Sequence, residues 1–222
     1  MIDPLADFNW STLYHRYDGK CRGFDQNSQH LSRFEADRPV TDRQLYYRLV
    51  DCYSKPIRDA DRNPASAYRS VLYWKLYSQG LARANLNRWF EESSAISQMD
   101  KRLCPFLAEL GPDLPRDADL IIQWIKKLNH VQLIGMANKC AIPVRSTFLH
   151  FLFPTTVPIF DKMVLQAVGV TEKDANKSYD VLREYLPFAW ELADRYADVA
   201  AESHVEQPIR LIDMALWVHR GR

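Results

Sequence analysis

The chain has 222 residues, 47% of them hydrophobic and 26% charged, with a formal net charge of +1. That length supports one substantial core or two small lobes around a cleft, and that charge gives no global attraction to nucleic acid or to a membrane surface. The 7 glycines and the lack of a GxGxxG or P-loop pattern argue against a glycine-rich phosphate cradle.

In chain order, Asp3-Pro4 places a capping acid before a proline at the first helical position, and Asp18-Gly19 closes that segment. Thr41 opens a helix from Asp42 to about Tyr53, which Pro56 ends. Asn63-Pro64 repeats the cap-then-proline signature before a helix over Ala65 to Ser78, where Val71, Leu72, Trp74 and Leu76 fall at helical spacing. Ala82 to Leu110 reads as one or two helices with a break near Pro105, followed by the Gly111 to Pro115 connector. Helices are then expected from Asp117 to Asn129 and from His130 to about Lys139, with a tight link from Cys140 to Val144.

A buried helix over Arg145 to Phe153 is stopped by Pro154, and a short apolar turn around Pro158 leads to Asp161, which opens a helix ending near Gly169. Thr171-Glu-Lys-Asp174 has the capping-box pattern and opens a helix to Tyr185. Phe188 to Ser203 follows, and Pro208 starts the last helix, Ile209 to His219. No convincing alternation of period two occurs, so the chain is expected to be all-α with about ten helices, in a single domain whose seam, if it has two lobes, lies near 111–115.

The charge is unevenly spread. From Tyr53 to Phe90 there are seven basic residues against two acids; from Thr171 to Glu206 there are nine acids against four bases. This describes either a polar molecule with an anion-binding face or charge scattered over solvated helix faces. Cys21, Cys52, Cys104 and Cys140 lack metal-ligand spacing and are expected to be buried, reduced thiols. No metal site and no cofactor are expected. The N-terminus lacks a secretory signal pattern, and the apolar runs are far shorter than the ~20 residues that cross a bilayer, so a cytoplasmic protein without a membrane partner is expected.

The residue with the clearest chemical meaning is Asp161. A carboxylate at a helix N-terminus is stabilised in its charged form by unpaired N–H groups and the helix dipole. It serves either as a cap alone or as an ionised group that supports a developing cation. Sequence spacing by itself favours the cap.

The order of link, buried helix, turn and Val157-Pro158-Ile159-Phe160-Asp161 resembles the core of the helix-hairpin-helix DNA glycosylases. It is most similar to their 8-oxoguanine glycosylase-like branch, and in particular to uncharacterised bacterial relatives of it. The likeness extends to Leu149-His150-Phe151, to Leu72-Tyr73-Trp74-Lys75 and to Ile212-Asp213-Met214-Ala215-Leu216-Trp217. It covers about 25 central residues and two short outlying motifs. The resemblance implies an all-α fold around a cleft, double-stranded DNA as partner, and a damaged base flipped into a pocket. It implies that Asp161 assists cleavage of the N-glycosidic bond, and that a hairpin lysine serves as nucleophile in members that also cut the strand.

Two departures bear on that chemistry. The stretch Ile142-Pro143-Val144-Arg145-Ser146 has no glycine, and Thr147 stands where relatives carry lysine. Arg145 cannot form a Schiff base, so Lys139 is the nearby substitute nucleophile. Arg145, Ser146, Lys162, Arg62 and Arg69 are the expected DNA contacts, and Lys75 is a further basic candidate. Trp74 and Trp217 are the expected walls of a base pocket, and His150 a supporting neighbour of Asp161. Against each stands a plainer role: a solvated loop for the basic run, core packing for the tryptophans, and a hydrogen-bonded buried histidine. The rival readings are a non-catalytic helical interaction module and a hydrolase acting on a nucleoside or nucleotide.

Overall fold

A computed structural model describes residues 1–20, 42–54, 64–76, 93–131, 141–202 and 207–220. Among the described residues the chain is all-helical, without strands. Its α-helices are α1 (Leu13–Lys20), α2 (Asp42–Ser54), α3 (Pro64–Leu76), α4 (Ser93–Leu110), α5 (Ala118–Val131), α6 (Ile142–Leu152), α7 (Lys162–Ala167), α8 (Tyr179–Arg195), α9 (Ala197–Glu202) and α10 (Pro208–His219). Short 3₁₀ turns precede α1 at Trp10–Thr12 and α8 at Ala175–Lys177.

Helix α5 follows from its pattern. Asp117 Oδ1 accepts from the Leu120 N–H at 3.0 Å, and Ile121, Ile122, Trp124, Ile125 and Leu128 bury one face. Helix α6 is covered on nearly every side, burying Ile142 and then every residue from Arg145 to Phe151. It packs against α2, α3 and α5. Helix α10 is the second interior helix and packs against α1, α7, α8 and α9. The buried apolar side chains form one cluster that runs from Leu5 to Val218 and includes residues on both sides of the 111–115 connector.

Several helix boundaries differ from expectation, each for a local reason. Asp3 does not open a helix. Its Oδ1 accepts from the Leu5 N–H at 2.8 Å, and its Oδ2 takes Arg195 at 2.6 Å and Tyr196 at 3.0 Å, so it fastens the N-terminus to the end of α8. Pro105 and Pro187 do not interrupt α4 and α8. Both prolines are exposed, while Leu103, Phe106 and Leu107, or Tyr185, Leu186 and Ala189, bury the opposite face and hold the helix together. The Thr171 capping pattern is unused because Asp174 adopts φ 65°, and Ser178 caps α8 instead by accepting from the Val181 N–H at 3.3 Å. His130 closes α5 rather than opening a new helix. The expected helix to Lys139 falls largely outside the described residues, as does the first part, 82–92, of the segment expected to be helical from Ala82 to Leu110; the rest of that segment is α4. Cys104 is exposed, contrary to the expectation of four buried thiols; it lies beside Pro105 on the outer face of α4. No helix among the described residues is long and apolar enough to cross a membrane.

Candidate functional site

The turn between α6 and α7 is clamped at nearly every peptide. Phe153 ends α6, with its N–H on the Leu149 carbonyl at 2.8 Å, and Pro154 cannot continue it. The Thr156 carbonyl accepts from Trp190 Nε1 at 2.7 Å. The Val157 carbonyl lies 2.7 Å from His150 Nδ1. The Ile159 carbonyl accepts from the Tyr185 hydroxyl at 3.2 Å, and the Phe160 N–H donates to Ser146 Oγ at 3.1 Å. Val157, Ile159 and Phe160 are buried. Side chains from α6 and α8 thus fix a turn that has no regular secondary structure of its own.

The turn delivers Asp161 to the start of α7. Its Oδ1 accepts from the Met163 and Val164 N–H groups at 2.8 and 3.1 Å. Its Oδ2 accepts from Lys75 Nζ at 2.6 Å. The Asp161 side chain is 20% exposed and that of Lys75 12%. Burial pushes the carboxyl pKa upward, but the Lys75 charge and hydrogen bond, with the two helix N–H groups, outweigh it and hold the carboxyl below its usual range. Asp161 is therefore an ionised group at neutral pH and a poor proton donor.

Behind this pair lies a wholly buried cationic centre. Arg210 donates to Asp213 and, at 2.7 Å, to the Tyr17 hydroxyl, with Asp42 Oδ2 at 3.4 Å. Tyr17 in turn donates to Asp42 at 2.7 Å. The rings of Tyr46, Trp74 and Tyr17 stand 4.4, 5.1 and 5.2 Å from the guanidinium carbon. Burial raises Asp213 to about 6 despite Arg210, with the Asp161 charge adding to the rise and Lys75 opposing it. Asp42 is likewise raised by burial against the pull of Arg210 and Tyr17. The Lys75–Asp161 pair is thus the more exposed edge of a polar cluster that reaches into the core.

His150 makes no bond to Asp161. A carbonyl can only accept, so the bond to Val157 puts the proton on Nδ1 and leaves Nε2 to face the Tyr46 hydroxyl at 2.7 Å. Burial lowers its pKa to about 3, so the ring is neutral. Tyr46 also lies 3.0 Å from Gln207 Oε1.

Two expected DNA contacts are corrected by their burial. Arg145 is fully buried and donates to Asn129 Oδ1 at 2.7 Å and to the Tyr179 hydroxyl at 3.4 Å, so its guanidinium is spent inside the fold. Ser146, also fully buried, is part of the turn clamp. Both are carried inward because α6 is an interior helix. The two tryptophans expected to wall a base pocket have different ring neighbours. Trp74 is buried against Tyr46, Phe151 and Arg210, whereas Trp217 lies against Tyr17 with Arg220 over its ring. Trp74 Nε1 is a buried donor without a hydrogen-bond partner among the described residues. Lys162 is exposed, one residue after Asp161. Lys139 and Arg62 lie outside the described residues; Arg69 belongs to α3, with its side chain outside them.

In the sequence Lys75 belongs to a basic run that suits a phosphate backbone, and nothing there pairs it with Asp161. Asp213 stands out there only as part of the Ile212–Trp217 motif, and Arg210 and Tyr46 do not stand out at all. A signal was present: Arg210 and Asp213 stand at i, i+3 within the apolar run Ile209 to Val218, where unpaired charges would be costly.

No family model, curated protein or solved structure matches the chain. The resemblance to helix-hairpin-helix glycosylases is an expectation from sequence motifs alone. The site offers an ionised carboxylate, a fifth exposed, with one oxygen committed to a helix and the other to an ammonium. Such a group can support a developing positive charge or take a proton from water; it is not suited to donate one.

Proposed function

We propose that the protein binds duplex DNA and cleaves the N-glycosidic bond of a damaged purine nucleotide, with Asp161 as the catalytic carboxylate. The observation that carries this reading is the seating of Asp161. It is an ionised carboxylate, a fifth exposed, behind a turn fixed by His150, Ser146, Tyr185 and Trp190. As the C–N bond breaks, its electron pair leaves with the base and positive charge develops on the sugar. The Asp161 carboxylate stabilises that charge. Water then adds to the sugar carbon, its proton passing to the carboxylate and on to solvent. Lys162, exposed beside Asp161, is the cation that would meet a backbone phosphate in this reading.

The test is fluorescence-anisotropy binding to a duplex bearing an abasic-site analogue, against an undamaged control at two salt concentrations, followed by base release from lesion-bearing duplex. Lesion-preferring, salt-sensitive binding is expected. Asp161→Asn is expected to lower base release at least about 100-fold with duplex affinity little changed.

The second reading is a non-catalytic helical interaction module. It is favoured by Asp161 oxygens that already have partners within the chain and by the burial of Arg145 and Ser146. Absence of duplex binding at low salt would select it.

A further inference from the structure

Lys75 meets Asp161 across 86 residues of sequence, at the very end of α3. Val71, Leu72, Tyr73 and Trp74, the turn before it, are buried, so the helix presenting Lys75 is held by its own core contacts. The last turn of a helix favours a cation, which the exposed carbonyl ends stabilise. The two oxygens of Asp161 are unequally committed. Oδ1 accepts two backbone N–H groups, while among the described residues Oδ2 accepts only from Lys75, which leaves one of its lone pairs unused. The ammonium has three N–H donors, and among the described residues Asp161 is its one hydrogen-bond acceptor. Both side chains are partly exposed. The unused lone pair of Oδ2 and a remaining N–H of Lys75 form an acceptor and a donor side by side, the set that one water molecule satisfies.

We infer that Lys75 is the positioning residue of this site: it anchors Asp161 Oδ2 from α3 and turns a remaining N–H donor toward the water that adds to the sugar carbon. The inference rests on the glycosidic reading of Asp161. It assigns Lys75 no covalent step. The residue acts through the carboxylate and the water, and its charge is unchanged before and after.

The experiment compares the full chain with Lys75→Met and Lys75→Arg by two readouts. Carbon-detected NMR of the Asp161 carboxyl, titrated with pH, needs no activity. Lys75→Met is expected to move that titration upward; Lys75→Arg, which keeps the charge, is expected to leave it near the wild-type position. Base release against pH is the second readout. Lys75→Met is expected to displace the acidic limb to higher pH and to lower kcat about 100-fold through misplacement of water and carboxylate, with KM little changed. Lys75→Arg is expected to restore the acidic limb but only part of kcat, because a flat guanidinium does not reproduce a point donor.

An unchanged Asp161 titration in Lys75→Met, or a kcat equal to wild type, overturns the inference. If Lys75→Met does not fold, a shifted Asp161 titration or acidic limb in Lys75→Arg overturns it. A wild-type chain inert on lesion-bearing duplex, with the Asp161 titration still moved by Lys75→Met, removes the glycosidic reading and the role of Lys75 with it, while leaving the ion pair intact.

Discussion

Two carboxylates in this protein meet opposed forces and settle them differently. Asp161 has a lysine on one oxygen and two helix N–H groups on the other, and its pKa falls below the ordinary range although burial opposes this. Asp213 has a bond from Arg210, yet its pKa climbs to about 6 because burial outweighs the cation and because Asp161 adds like charge. The difference lies in what else satisfies the charge. A carboxylate at the start of a helix receives donors that cost no further desolvated ion, whereas a carboxylate paired only with a buried, shared guanidinium does not. Arg210 divides its donors among Asp213, Tyr17 and Asp42.

The comparison breaks most visibly at Arg210. Replacing it by methionine leaves Asp42 and Asp213 buried without their cation, and removes the charge about which Tyr17, Tyr46 and Trp74 are arranged. Loss of one partner from a buried ionic group costs about 3–5 kcal/mol. Urea unfolding at neutral pH checks this, and the loss shrinks at acid pH, where both carboxyls take up protons. A cost of the size seen for exposed ion pairs would mean that the network is not desolvated as described.

The next effect is a slope with pH. Folded Asp213 keeps its proton up to about pH 6, against the usual 3.8. Between those values the native state therefore binds more protons than the unfolded chain. The stability contributed by Asp213 is complete below about pH 4 and is lost as pH rises through about 6. The span corresponds to about 3 kcal/mol. His150 has the opposite sign. Its folded pKa of about 3 lies below the usual 6.5, so its contribution is complete above that value and is lost as pH falls toward 3. The two slopes oppose one another over the shared window. Asp213→Asn removes one of them, so its stability relative to wild type should climb with pH from about 4 to about 6. Parallel curves for the two proteins would remove Asp213 from the titrating set.

The same contrast explains what could be read from the sequence. The all-α fold, the start of α10 at Pro208, the start of α5 after Asp117 and the capping place of Asp161 are written in local signals of three or four residues. The continuity of α4 and α8 through Pro105 and Pro187 was hidden, because it depends on which face each proline occupies. The Lys75–Asp161 pair was hidden because nothing local joins residues 86 apart. The inward place of Arg145 is hidden for the same reason. Its charge looks like surface until Asn129 and Tyr179 are known to receive it.

The smallest stability effect is the sharpest form of the comparison. Asp161→Asn neutralises one member of an ion pair, as Arg210→Met does, but asparagine caps a helix about as well as aspartate and keeps an acceptor for the Met163 and Val164 N–H groups. Lys75 loses its anion but stays partly exposed, so water can replace the lost hydrogen bond. The expected loss near neutral pH is under about 1 kcal/mol. Because the folded pKa of Asp161 is depressed, its contribution is present above the usual 3.8 and is lost as pH falls through the folded value. The difference between wild type and Asp161→Asn should therefore vanish only at strongly acid pH, opposite in sign to the Asp213 slope. A loss approaching that of Arg210→Met would mean that Lys75 is as desolvated as Arg210. The Asp161 edge would then be closed to any ligand, and the helical-module reading would gain over the enzymatic one.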